Sequence, residues 1–227
     1  MGRALAQREP PASASEIEAF IARWSECEGG QERANYALFL IGLTRLLGLP
    51  EPDPAGATHE HNDYVFERVV HKRRPNGDTS GRIDLYKRDC FVLEAKQSRL
   101  KGRAKELAGQ TDLFRAEDDA GALARPGWDV LMLNAKAQAE DYAPALPTSH
   151  GWPPFILVCD VGRAIEVFAD FSGQGKNYTQ FPDRRGYRIR LEDLREKAVR
   201  DRLRAIWLHP VPSIWRAFRL AYTRPRT

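Results

Sequence analysis

The chain reads as an α/β protein, with a central mixed sheet of about five strands flanked by helices. Three observations predict this. Arg82 to Gln97 is rich in β-branched and aromatic residues on either side of a polar Arg88-Asp89 break, which is a hairpin pattern. Phe155–Val161 and Ala164–Phe171 repeat that pattern about Gly162, and the first of these runs is apolar without a break from Phe155 to Cys159, as expected of a central strand covered on both faces. Around these runs lie segments whose apolar residues recur at helical spacing.

In chain order, Met1–Ala14 is rich in Ala, Pro and Arg and reads as a flexible leader. Ser15-Glu16-Ile17-Glu18 is a capping-box pattern, and Ile17, Phe20, Ile21 and Trp24 carry a first helix to about Cys27. A second helix is predicted from Gln31 to Leu47, ending at Gly48-Leu49-Pro50. After a Pro/Gly loop, His59, His61 and Asp63 alternate; they could hold a transition metal on one strand face, or form a polar lead-in to a strand. Tyr64–His71 reads as that strand, and Asn76-Gly77 signals the next turn. Ser98–Pro126 has weak periodicity and reads as an insertion with a short helix. Trp128–Tyr142 reads as a helix with Leu131, Ala135, Gln138 and Tyr142 on one face. Leu191–Ile206 reads as the last helix, and Leu208–Thr227 as a basic, tryptophan-bearing tail.

Bulk properties narrow the class. At 227 residues, with 42% hydrophobic and 29% charged residues, one globular domain with ample core is expected. The net charge of +4 and pI near 9.0 permit a polyanionic partner without requiring one. Cys27, Cys90 and Cys159 are scattered without metal-type spacing, which fits a reducing cytoplasm. No apolar run approaches the ~18 residues of a membrane helix.

The first hairpin carries chemistry. Glu94 and Lys96 lie two apart and so point to one face of a strand, and folding about residue 89 brings Asp84 beside residue 94. Two carboxylates that close repel unless a cation lies between them, and hard oxygen ligands with open water positions suit Mg²⁺. A lysine there can orient water or stabilise charge on a phosphate. Glu94 is the one acidic residue in the chain that stands two before a lysine, and it ends the apolar run Phe91-Val92-Leu93. The plainer alternative is a solvated salt bridge on an amphipathic hairpin.

Asp84, nine intervening residues and Glu94-Ala95-Lys96-Gln97 resemble the PD-(D/E)XK nuclease superfamily. More narrowly, Gly81–Arg88 followed by Phe91–Gln97 looks like the amino-terminal nuclease domain of MmeI-like type IIL restriction–modification enzymes. Ile83 stands where the superfamily has its proline. The resemblance runs in order from Ser15 to Trp207 and implies a restriction-endonuclease-like core. It implies Mg²⁺-dependent hydrolysis of double-stranded DNA, with Mn²⁺ able to substitute. Asp84, Glu94 and the backbone carbonyl of Ala95 would hold the metal, with Lys96 positioning water and Gln97 completing the motif. Glu32-Arg33-Ala34-Asn35-Tyr36 matches the family's helix start and carries a site role onto Glu32, which could instead merely favour the helix dipole. Gln138 and Tyr142 match a glutamine-x-x-x-tyrosine motif that supports the site in some members; a core tyrosine is the alternative.

Arg99, Lys101, Arg103 and Lys105 are candidate phosphate contacts, or a solvated loop. The tail does not resemble the family's spacer, and neither an AdoMet-binding glycine loop nor an Asn-Pro-Pro-Tyr motif occurs, so no AdoMet site is expected. The expectation is a lone nuclease domain, cutting without sequence preference and self-associating transiently on DNA to cut both strands. A catalytically silent DNA-binding or assembly remnant and a stand-alone repair nuclease are the alternatives.

Overall fold

The computed structural model describes residues 12–27, 29, 31–58, 62–72, 77–98 and 126–208. The expected leader, apart from Ala12–Ala14, and the tail beyond Leu208 lie outside them, as do His59, His61 and the body of the insertion with Arg99, Lys101, Arg103 and Lys105. Helices α1 (Ala14–Ser25) and α2 (Glu32–Leu46) precede strands β1 (Tyr64–Lys72), β2 (Thr79–Lys87) and β3 (Phe91–Lys96). Helix α3 (Pro126–Tyr142) follows, then β4 (Phe155–Asp160), β5 (Ala164–Ala169), β6 (Thr179–Gln180), β7 (Arg188–Arg190) and α4 (Lys197–Leu208).

The sheet has seven strands in the order β1-β2-β3-β4-β5-β6, with β7 also on β5. The predicted count of about five omits β6 and β7, which are two and three residues long and too short to show a period. The β3–β4 pair is parallel and the other pairs are antiparallel, so the sheet is mixed. Within β3, Phe91, Leu93 and Ala95 join a core with α1, α2 and α4, whereas Val92 joins a second core under α3. Alternation along the strand thus feeds two layers of helices. As its apolar run predicts, β4 is buried throughout and central.

Three local expectations shift. The first helix is capped by Ser13 with Glu16 rather than by Ser15 with Glu18; Glu18 instead grips Arg195 at 2.7 and 2.8 Å. The last predicted helix is two pieces, a 3-10 turn at Leu191–Arg195 and then α4, parted at Glu196 by extended backbone. The buried face of α3 is Trp128, Met132, Ala135, Ala139 and Tyr142; Leu131 and Gln138 sit on its margin. Gln138 is therefore not a core amide needing rescue from burial. Among the described residues no helix is long and apolar enough to cross a membrane.

Candidate active site between diverging strands

The β2–β3 ladder pairs Lys87 with Phe91, Tyr86 with Val92 and Leu85 with Leu93, then stops. The Cys90 and Lys96 carbonyls of the β3 segment accept from Phe155 and Val161 on the β4 side. Alternation therefore turns the N–H and C=O of Ala95 towards β2. In a continued ladder that N–H would belong to the Ile83 carbonyl. Instead it donates to Asp84 Oδ2 at 2.7 Å. A carboxylate has entered the ladder, β2 and β3 part company, and the Ala95 carbonyl faces the opening.

Glu94 stands on the other edge of this gap and is only 2% exposed. Lys96 Nζ donates to Glu94 Oε1 at 2.6 Å, as two residues on one strand face should allow. Glu94 Oε2 is buried and has no hydrogen-bond partner among the described residues. Burial and then the nearby Asp84 charge push the Glu94 carboxyl up to about 7, although Lys96 opposes this. Burial pushes Asp84 up to about 6, against the Ala95 hydrogen bond and Lys96. Burial works to lower the Lys96 ammonium, but the Glu94 hydrogen bond and the charges of Glu94, Glu32 and Asp84 outweigh it and hold the group above its ordinary value. The solvated salt bridge considered for this pair does not describe a carboxylate so deeply buried.

These groups line a cleft of about 930 Å³ entered by α2 from one side and α3 from the other. From α2 come Glu32, Arg33 and Tyr36; from α3 come Gln138 and Tyr142. Glu32 Oε2 accepts the Gln97 N–H at 3.2 Å, which ties α2 to the end of β3. Gln97 itself turns away from the cleft. Its Oε1 accepts from the Gln31 N–H and Asn35 Nδ2, both at 3.1 Å, and its Nε2 donates to Cys27 Sγ. It therefore fastens the helix junction behind Lys96. Gln138 Nε2 donates to the Tyr142 hydroxyl at 2.9 Å, and Lys72 Nζ lies 4.0 Å from the centre of the Tyr142 ring. A Cβ on Gly81 would stand 2.5 Å from that ring, so the glycine is what lets Tyr142 lie against β2.

The structure adds residues that sequence reasoning passes over. Glu67, Arg33 and Arg82 line the same cleft, and the Tyr36 hydroxyl donates to Glu67 Oε1 at 2.5 Å. Burial and then Glu67 push the Tyr36 phenol upward, so it stays a donor. Arg82 and Tyr36 stand inside the motifs already singled out, but Glu67 stands in an ordinary strand pattern, and only tertiary pairing identifies it. Asp160, fully buried at the end of β4 beside Lys96, accepts from Ser98 and from Trp128 Nε1, fixing the chain on either side of 99–125.

A hard divalent cation fits the donor set. The buried, unpartnered Glu94 Oε2, the Asp84 carboxylate and the outward Ala95 carbonyl are all oxygens on one gap. Among the described residues no three His, Cys, Asp or Glu side chains form a ready metal cage. Water would have to complete the shell, which suits Mg²⁺ better than a structural zinc. Asp63, the member of the alternating histidine motif within the described residues, stands 3.5 Å from Arg88.

No curated protein and no solved structure shows significant similarity to the chain. A family model does match, over residues 12–210, and its description is MmeI, N-terminal domain. That span contains both motif strands, Glu32 and the Gln138–Tyr142 pair, and the chain belongs to the MmeI N-terminal domain family.

Proposed function

We propose that this chain is the metal-dependent DNA endonuclease domain of a type IIL restriction–modification enzyme, hydrolysing phosphodiester bonds of double-stranded DNA in the cytoplasm. Membership of the MmeI N-terminal domain family associates it with type IIL restriction enzymes. The observation that carries the nuclease reading is Glu94 Oε2, a buried carboxylate oxygen without a partner among the described residues, beside a second, half-buried acid at a break in the ladder. A buried carboxylate oxygen left without a partner is costly, and a cation held beside it would offset that cost.

Asp84, Glu94 and the Ala95 carbonyl would hold Mg²⁺ or Mn²⁺. A bound ion would supply charge stabilisation on phosphate oxygens and a more acidic water. Lys96 is a charged donor in the free protein, holding Glu94 Oε1 in place and presenting its ammonium to the cleft. Gln138 orients the Tyr142 hydroxyl, and Glu32 keeps the end of β3 against α2. Arg33 and Arg82, both exposed on the cleft, are suited to phosphate contacts, which position a duplex without reading its sequence.

Plasmid nicking in Mg²⁺ against EDTA tests this reading. Nicking by the wild-type chain in Mg²⁺ that is lost in EDTA and in Glu94→Ala is expected. Nicking that survives both would overturn it, and DNA binding without nicking would favour a catalytically silent remnant.

A further inference from the structure

Glu67 lies in the middle of β1 with a left-handed backbone, φ 52°. Among the described residues the other non-glycine residue with positive φ is Asp89, in the turn between β2 and β3, where aspartate tolerates it. A glutamate inside a strand does not share that tolerance. The register sets Phe66 against Leu85 and Arg68 against Ile83, so Glu67 falls opposite Asp84. Like charges directly opposite also disfavour the pairing.

The row has a structural consequence. Phe66 and Leu85 pack into the core of α1, α2 and α4, whereas Val70 and Ile83 pack into the core under α3. In a regular strand Leu85 and Ile83 would share a face, as would Phe66 and Val70. Both strands therefore change sides across the Glu67–Asp84 row. It is this change that takes Asp84 out of the ordinary alternation and lets its carboxylate reach the Ala95 N–H. The Glu67 side chain is held while this happens, by the Tyr36 hydroxyl at 2.5 Å and by Arg82 at 3.5 Å.

Resting on the reading of Asp84 as a site residue, we propose that Glu67 is a positioning residue: its anchored side chain maintains a reversed backbone in β1, and that reversal sets Asp84 on the Ala95 amide. The role is conformational and acts through Asp84.

Hydrogen exchange of the Ala95 amide, followed by NMR in the metal-free protein, tests this directly, with the Leu93 amide as a control in the intact part of the ladder. Glu67→Val, whose β-branch resists positive φ, should speed Ala95 exchange by about tenfold or more while leaving Leu93 unchanged, as loss of a charge-assisted hydrogen bond requires. Glu67→Gly removes the carboxylate but adopts positive φ freely, and should stay within about threefold of wild type. If the valine variant fails to melt cooperatively, Glu67→Ala is read the same way. Exchange in the glycine variant as fast as in valine would show that freedom to adopt positive φ does not preserve the Asp84 contact, so the reversed backbone is not what sets it. Wild-type exchange in valine or alanine would show that Glu67 positions nothing. Either result overturns the proposal. The amide readout needs neither metal nor cleavage, so a wild-type chain that neither nicks DNA nor binds Mn²⁺ would defeat the functional reading while leaving this result standing.

Discussion

Two glutamates on this sheet invite comparison. Glu94 on β3 is 2% exposed and Glu166 on β5 is 3% exposed. Each is paired with a basic residue, and in each burial raises the carboxyl above its ordinary range. They differ in what else surrounds them. Arg188 donates to Glu166 at 2.8 Å, is itself bound to Asp129 at 3.0 Å, and lies over the Trp128 ring. Among the described residues Glu94 has Lys96 on one oxygen, no hydrogen-bond partner on the other, and a competing acid across a broken ladder. Burial and a perturbed carboxyl are common to both. A buried acceptor without a hydrogen-bond partner among the described residues is what separates the candidate site from the structural ion pair.

Removing each glutamate should separate the two regions most sharply. Glu166→Ala removes a charge-assisted hydrogen bond from Arg188, which keeps Asp129, and should cost about 1.5–3 kcal/mol of stability. Glu94→Ala, or Asp84→Ala, should instead lower nicking on the order of 10²–10³-fold and abolish stabilisation by Mg²⁺, as expected for loss of groups that organise charge at the reaction centre. Thermal melts with and without metal, run beside nicking assays, decide it. Equal metal binding by the wild type and both site variants would erase the distinction.

The basic partners sharpen the contrast further. Lys96→Ala should remove most cleavage while changing DNA affinity only a few-fold, since one charge among many phosphate contacts counts for little in binding. A large loss of affinity with unchanged turnover would make Lys96 a phosphate anchor.

Acidity offers a third comparison. Burial pushes the Glu94 carboxyl up to about 7 from an ordinary 4.5, and Asp84 up to about 6 from 3.8. At these two groups the folded, metal-free chain binds more protons than the unfolded chain between about pH 4 and 7, so their contribution to stability falls as pH rises through that window. The contribution is fully present below the unfolded values and is lost above the folded ones, each tenfold difference in acidity between the two states being worth ~1.4 kcal/mol. Glu94→Gln should flatten the decline, and Mg²⁺ should stabilise more at pH 8 than at pH 5. Urea denaturation across this range, with and without metal, measures both effects. A wild-type pH dependence indistinguishable from that of Glu94→Gln without metal would contradict the site's electrostatics.

The smallest effects belong to the cleft wall. Gln138→Ala should lower turnover several-fold with little change in Tm, because Gln138 sits on the margin of α3 rather than in its core. Gly81→Ala should act in the same direction by displacing the Tyr142 ring. A large fall in Tm with unchanged turnover for Gln138→Ala would make the pair structural.

Much of the site is legible in the sequence because its members are close along the chain. Asp84, Glu94, Ala95 and Lys96 lie on one hairpin, and strand alternation with a short turn dictates their meeting. Motifs single out Glu32 and Gln97 but not their division of labour: Glu32 faces the cleft, while Gln97 fastens α1 and α2 behind it. The face of α3 expected from spacing is off by a fraction of a turn. A helix with small alanines offers two stripes of similar apolarity, and only packing on Val92, Ile156 and Val158 chooses between them.

By itself the sequence determined the α/β class, the two hairpins, the central place of β4 and the acids and lysine that converge on one strand pair. These follow from local periodicity and turn chemistry, which depend on neighbours a few residues away. Only the tertiary structure decided that β1 and β2 change sides at the Glu67–Asp84 row, that Asp84 displaces a ladder bond, and that among the described residues one buried Glu94 oxygen has no partner. Those features depend on groups from different strands meeting with a given register and burial, and no window of sequence holds both sides of such a contact.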